Sequence, residues 1–133
     1  MSVTPYKTLE ARFARLGAVQ DATAMLQWDS ATLMPAGGAA SRAEQLATLK
    51  VVCHEILTDP AMADLVAGAE AQNDLDQWQR ANLAEMERLR LHATAVPADL
   101  VAALSKACSA CEMRWREARP AGDFAAARPT MCG

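Results

Sequence analysis

Apolar residues recur along most of the chain at three- and four-residue spacing, which is typical of helices, and no segment alternates with the period of a strand. The first such stretch begins at Thr4, a residue type that caps helices, with Pro5 in the first turn. It is predicted to end near Trp28-Asp29. The segment 34–38 contains one proline and two glycines, so it predicts a loop.

Two further helices are predicted in the middle of the chain. The first runs from Ser41 to Leu57, because Ser41 and Glu44 have the spacing of a capping box. The second is shorter, with Asp59 as its cap and the following proline in its first turn. Its apolar pattern fades between residues 68 and 72.

The fourth and fifth predicted helices are the longest feature after the first. They run from Asn73 to Ala93 and from Pro97 to Arg119, and the link between them is short. A short link predicts an antiparallel helical hairpin. The fifth helix has a nearly heptad apolar stripe made of Leu100, Leu104, Ala107, Cys108, Cys111, Trp115 and Ala118. The sequence therefore predicts an all-α antiparallel bundle of about five helices with a long hairpin of helices four and five.

The end of the chain departs from this pattern. Pro120 and Gly122 interrupt the helical period, and residues 120–133 are predicted to form a loosely ordered tail with one further turn near 123–127. The whole chain, residues 1–133, is predicted to be a single helical domain, since its length is near the common domain size.

Composition narrows the function classes. A hydrophobic fraction of 52% supports a packed core, while the net charge of −3 argues against a general nucleic-acid binder. The start of the chain lacks the apolar region of a signal peptide, and no apolar run approaches the ~20 residues of a membrane span. A cytoplasmic location is expected, with no membrane partner. Free thiols are expected for all four cysteines, Cys53, Cys108, Cys111 and Cys132.

The dipeptide His54-Glu55 is the nearest approach to a metalloprotease motif. Such a motif needs a second histidine four residues after the first, with the glutamate as general base. Here that position is Thr58, whose hydroxyl does not replace an imidazole as a zinc ligand. The sequence therefore favours a surface His-Glu pair near a helix end.

Cys108 and Cys111 form a C-x-x-C pair that has a redox, a metal and a packing interpretation. A redox role needs a thioredoxin-like strand–helix context, which the helical pattern lacks. A zinc site needs two more ligands, and the candidates lack paired spacing: Cys53, His54, His92 and Cys132. Since both cysteines lie on the apolar stripe, packing as small hydrophobic side chains is favoured.

Four more side chains invite a functional interpretation. Asn82 lies within the apolar face of helix four, and the favoured interpretation is a hydrogen-bonded core amide rather than a ligand contact. Trp28, Trp78 and Trp115 are predicted to anchor the core rather than to form a ligand cage. No catalytic, cofactor-binding or metal-binding residue is assigned, and no cofactor is expected.

An ordered series of short motifs resembles the carboxypeptidase Taq family of zinc metallocarboxypeptidases. These motifs are Tyr6-Lys7-x-Leu9-Glu10-x-Arg12-Phe13, Trp28-Asp29 with Met34-Pro35, Arg42-x-x-Gln45-Leu46-Ala47, His54-Glu55, Thr58-Asp59-Pro60, Ala81-Asn82-Leu83, Ala95-Val96-Pro97, Trp115-Arg116-Glu117-Ala118-Arg119 and Asp123-Phe124. The resemblance implies an all-helical fold and the N-terminal region of these enzymes, which lies like a flap beside the substrate groove. The sequence stops before the family's H-E-x-x-H helix, so the resemblance assigns no zinc ligand or general base here.

Three functional hypotheses follow. The first is a non-catalytic helical module that self-associates as a homodimer or binds a peptide or a separate catalytic subunit. The second is the non-catalytic part of a split metallocarboxypeptidase whose zinc site is on another chain, which a neighbouring reading frame for the H-E-x-x-H part would favour. The third is a small metal or redox protein that uses the cysteines, which tightly bound zinc would favour.

Overall fold

The computed structural model describes residues 3–131, and within that range all regular structure is helical. The elements are α1 (Pro5–Thr32), a short 3-10 turn (Ala36–Gly38), α2 (Ala39–Thr58), α3 (Pro60–Glu70), α4 (Gln77–Thr94), α5 (Ala98–Ala121) and α6 (Phe124–Met131). The prediction of an all-α fold is confirmed, with six α-helices in the described range.

Local capping chemistry accounts for most helix starts. The Thr4 side chain accepts a hydrogen bond from the Lys7 backbone N–H at 3.3 Å, and Asp59 accepts from Ala61 at 2.9 Å, as predicted. Helix α4 begins at Gln77, later than predicted, because Asp76 and Gln79 form a reciprocal capping box. The predicted box of Ser41 and Glu44 is wrong, since α2 begins at Ala39 and Ser41 lies inside it.

Helix α2 is the centre of the arrangement, with α1 and α5 packed along it. Both neighbours run antiparallel to α2. Arg12, early in α1, pairs with Asp59 beyond the end of α2 at 2.6 Å. His54, late in α2, lies beside Val96 just before α5 begins, while Arg42 at the start of α2 lies near Arg116 late in α5. The three long helices therefore form a layer with α2 in the middle, and α1 and α5 approach each other where Arg116 donates to the Ser30 carbonyl.

The main hydrophobic core lies at one end of this layer. It joins the first turns of α1 to α3 and α4 and contains Tyr6, Leu9, Met62, Val66, Ala69, Leu75, Leu83 and Met86. Gly68 permits a close approach there, because a Cβ at that position would lie 3.1 Å from the Pro5 ring. Most of the fully packed volume is thus contributed by α1, α3 and α4.

The predicted hairpin of helices four and five is wrong. Although residues 95–97 connect them closely, α5 packs along α2, while α4 lies against α3 and one end of α2. His54 of α2 explains the geometry, because its Nε2 lies 3.1 Å from the Ala93 carbonyl oxygen and 2.6 Å from that of Val96. Both carbonyls are acceptors, so Nε2 carries the proton and donates to them. The connection is fixed on α2, and the two helices diverge from it.

The C-terminal segment also differs from its prediction. Gly122 ends α5 with φ of 65°, a left-handed conformation that suits glycine. Helix α6 then packs on α5 with Ala127 fully buried, whereas the sequence suggests one turn near 123–127; residues 132–133 of the predicted tail lie outside the described residues. Among the described residues, no helix combines the length and the apolar character needed to cross a membrane.

Candidate functional site

The residues around His54 do not fit a zinc site. Its Nε2 is committed to two backbone carbonyls, and Thr58 donates its hydroxyl proton to the His54 carbonyl oxygen at 2.9 Å. The remaining ring nitrogen, Nδ1, is buried and has no hydrogen-bond partner in the described part of the chain. One free nitrogen is not a zinc site, and within residues 3–131 no three His, Cys, Asp or Glu side chains are grouped to hold a metal. His54 is instead a structural link between α2 and the α4–α5 connection, so the predicted surface His-Glu pair is wrong for His54.

The cysteines occupy three different environments. Cys108 is exposed and Cys111 is half-buried, so the prediction that both pack in the core is wrong for Cys108. Cys53 of α2 is half-buried, and this burial raises the pKa of its thiol above the usual range because the thiolate is disfavoured away from water. Cys132 lies outside the described residues.

The predicted core anchors are largely on the surface. Trp78 is 85% exposed, Trp28 is 55% exposed and Trp115 is 40% exposed, so the prediction that they anchor the core is wrong. Asn82 is exposed as well, which contradicts its predicted core position. Its amide nevertheless donates a hydrogen bond to the Tyr6 hydroxyl at 3.0 Å, so the expected partner exists.

Helix α5 exposes the apolar face that the sequence assigns to the core. Its outward face, called here the α5 stripe, consists of Leu100, Leu104, Cys108, Cys111 and Trp115; Leu100 is 53% and Leu104 is 61% exposed. The two buried side chains of α5, Ser105 and Ala118, are small, and Ser105 is 2% exposed. Small side chains allow close approach of two helices, so α5 packs through them and leaves its larger apolar residues outside.

A groove lies where the end of α1, the start of α2 and the second half of α5 meet. It has a volume of about 390 Å³, which lies in the range of ligand-binding pockets. Its floor includes Met34 and Leu46, which are 5% and 4% exposed, and the side chains of Met113 and Trp115 line its α5 side. We call this feature the α1–α2–α5 groove.

Two arginines of the groove are held by the end of α1. Arg42 Nη1 donates to Asp29 Oδ2 at 2.5 Å and to the Leu26 carbonyl oxygen at 3.0 Å. Arg116 Nη1 donates to the carbonyl oxygens of Ser30 and Met34 at 3.2 and 3.3 Å. The negative end of a helix dipole favours such cations. Arg116 of α5 thus serves the end of α1, which sequence spacing does not reveal.

The guanidinium of a third groove arginine has no hydrogen-bond or ion-pair partner among the described residues. Arg119 lines the groove and is exposed, and no ion-pair or hydrogen-bond partner for its guanidinium is found among the residues the structure describes. Glu112 is the acidic side chain in the lining, so three arginines and one glutamate give the groove a charge of +2. The groove is therefore positive although the chain as a whole carries −3.

Comparison with known proteins finds relatives that are all described as carboxypeptidases. The sequence profile described as "Carboxypeptidase Taq (M32) metallopeptidase" matches residues 8–132. Thermostable carboxypeptidase 1 of Pyrococcus furiosus is 28% identical over 125 residues, covering 94% of this chain and 25% of that protein. Thermostable carboxypeptidase 1 of Thermus thermophilus is 33% identical over 104 residues, covering 76% of this chain and 20% of that protein.

A solved structure agrees with these sequence relatives. Trypanosoma cruzi metallocarboxypeptidase 1 superposes with a TM-score of 0.73 at 33% identity, covering 97% of this chain and 26% of that one. The chain thus spans about a quarter of the length of the relatives it matches. Because the family profile covers nearly all of its residues, the chain belongs to the carboxypeptidase Taq (M32) metallopeptidase family.

Proposed function

We propose that this chain is a non-catalytic helical module of the M32 fold, equivalent to the N-terminal region of the peptidases, and that it acts in the cytoplasm through protein contacts. The observation that carries this proposal is the α5 stripe, a row of apolar side chains in which Leu100, Leu104 and Trp115 are 53%, 61% and 40% exposed. Large apolar patches on a protein surface mark sites of association. The donor set around His54 supports the non-catalytic part of the proposal.

A second candidate is the non-catalytic part of a split metallocarboxypeptidase whose zinc site is on another chain. It is favoured by the length comparison, since the match covers 25% of the Pyrococcus furiosus relative. In that case the exposed apolar faces would pack against the remaining part of the fold. Finding a neighbouring reading frame that encodes an H-E-x-x-H helix would favour this candidate.

The non-catalytic proposal predicts that the purified chain does not hydrolyse C-terminal residues when zinc or cobalt is added. Its sequence has two histidines, His54 and His92, and no H-E-x-x-H. The measurement is release of the C-terminal residue from a blocked dipeptide, with the Thermus thermophilus enzyme as positive control. Metal-dependent hydrolysis that a chelator abolishes would refute the proposal.

For the protein contact itself, we propose a two-fold homodimer, the commonest arrangement of identical chains. The α5 stripe is suited to an antiparallel self-contact. Cys108 lies near its middle, with the larger Leu100 and Trp115 at its ends. A two-fold axis near Cys108 would place Leu100 of one copy against Trp115 of the other. Small residues at the centre allow the two helices to approach closely.

We expect sedimentation equilibrium at micromolar concentration to give about twice the 14.2 kDa monomer mass, and Leu104→Glu to restore the monomer. Two copies of Leu104 are covered in each dimer, and each buried leucine contributes about 1.5–3 kcal/mol, so Leu104→Glu should raise the dissociation constant at least about 100-fold. The matched control is Leu91→Glu on α4, because Leu91 is 53% exposed and lies outside the stripe. A monomeric parent protein, or equal effects of both changes, would contradict the dimer.

A further inference from the structure

We infer that the α1–α2–α5 groove binds an acidic amphipathic segment of a partner protein, with apolar side chains on the groove floor and carboxylates against Arg116 and Arg119. This site is separate from the dimer contact in its chemistry, since it combines an apolar floor with a positive wall. It shares Trp115 with the α5 stripe, and the other residues on which the inference rests lie outside the stripe.

The sign of the charge identifies the kind of partner. Three arginines and one glutamate line the groove, giving +2 on a chain whose net charge is −3. Asp29 neutralises part of this charge through Arg42, which leaves +1 at the site. A local excess of positive charge on an acidic protein selects an anionic partner by charge complementarity.

Two of the three groove arginines, Arg42 and Arg116, are held in place before any partner arrives. Arg116 uses Nη1 for the carbonyls of Ser30 and Met34, so its Nε and Nη2 donors remain for a carboxylate. Arg42 is fixed by Asp29, by Leu26 and by Gln45, whose side-chain oxygen accepts from Nε at 2.9 Å. Fixed donors lose less conformational entropy on binding, which favours recognition of a carboxylate.

The apolar floor of the groove determines which side chains the partner segment places against it. Met34 and Leu46 are buried below the groove, and Met113 is half-buried beside them. Methionine side chains adapt to different apolar shapes, so the floor accepts leucine-like side chains without strict geometry. The exposed rim residues Trp115 and Pro120 extend this surface beyond the floor, which suits a continuous peptide segment better than a small molecule.

The probe is a fluorescein-labelled helical peptide of about 14 residues with leucines at i, i+3 and i+4 and two glutamates one turn later. Fluorescence anisotropy should give a Kd of about 100 µM or tighter at low salt. Replacing both glutamates by glutamine should weaken binding about tenfold, and replacing the leucines by alanine should abolish it. Leu104→Glu should not weaken binding, because Leu104 lies outside the groove and loss of the dimer contact leaves Trp115 free, which separates this site from the proposed dimer.

Two protein variants locate the peptide. Arg119→Gln should weaken binding about three- to fivefold. Arg114→Gln is the matched control, because Arg114 is also an exposed arginine of α5 but does not line the groove. Ala31→Trp should block binding, since Ala31 lines the groove and is exposed enough to accept a larger side chain. Equal losses in Arg119→Gln and Arg114→Gln, unchanged binding in Ala31→Trp, or no binding of the peptide would overturn the inference.

Discussion

Replacing Leu9 by alanine should lower the free energy of unfolding by about 3–5 kcal/mol, the largest effect expected from a single substitution in this chain. Leu9 is completely buried in the cluster that joins α1 to α3 and α4. Truncation would remove its apolar contacts and leave a cavity in the only large core cluster within the described residues. Since domains of this kind have about 5–15 kcal/mol of stability, the variant would be close to unfolding. Urea denaturation followed by circular dichroism measures the change.

The matched control for this prediction is Leu33→Ala. Leu33 follows the last residue of α1 and is 70% exposed. Its truncation should therefore change the free energy of unfolding by about 0.5 kcal/mol or less. Similar losses for Leu9→Ala and Leu33→Ala would show that the cluster is not the main source of stability.

Replacing Arg42 by alanine should lower the free energy of unfolding by about 2–3 kcal/mol. One guanidinium joins the start of α2 to Asp29 and to the Leu26 carbonyl, and its side chain is 19% exposed. Hydrogen bonds to charged groups contribute about 1.5–3 kcal/mol when they are shielded from water, and the change would leave Asp29 without this partner. Urea denaturation gives the total loss. Faster hydrogen exchange near the end of α1 would locate it.

Two further substitutions distinguish geometry from charge. Arg42→Lys keeps the charge but lacks the planar fork that reaches both partners, so it should recover less than half of the loss. Arg15→Ala removes an exposed arginine of α1 for which no ion pair is found in the described range, and it should be nearly neutral. If Arg42→Ala is as mild as Arg15→Ala, the link between α1 and α2 rests on packing alone.

Local features of the fold were predictable from the sequence because their causes lie within a few residues. Thr4 and Asp59 cap helices with their own side chains, and their partners are three and two residues away. The apolar period likewise reports whether a segment is helical. Family membership was also predictable, since the ordered motifs resemble the family whose profile matches the chain.

The choice of helix partners was not predictable by the same means. An apolar stripe shows which face of a helix avoids water, but it does not name the neighbour that covers it. On α5 the small face carrying Ser105 meets α2, while Leu104 on the large apolar face is 61% exposed. Close approach along a small face competes with burial of large side chains, and the sequence alone does not decide between them.

The candidate groove could not be predicted from the sequence for a related reason. Its arginines are fixed by partners far along the chain: Arg116 by Ser30 and Met34, and Arg42 by Leu26 and Asp29. The spacing of Arg116 and Arg119 in the sequence does not show that Arg116 is hydrogen-bonded to the end of α1 while Arg119 has no partner among the described residues. Long-range geometry alone separates them.

The uneven core has a consequence for how the molecule opens. The cluster around Leu9 joins three helices through large buried side chains, whereas the two buried side chains of α5, Ser105 and Ala118, are small, and α6 is packed on α5. Small side chains bury less area and contribute less free energy each. Proteins open in cooperative units of unequal stability. The α5–α6 unit should therefore detach in a subglobal opening while α1, α3 and α4 stay folded, which would expose the groove floor and the face of α2 that α5 covers together.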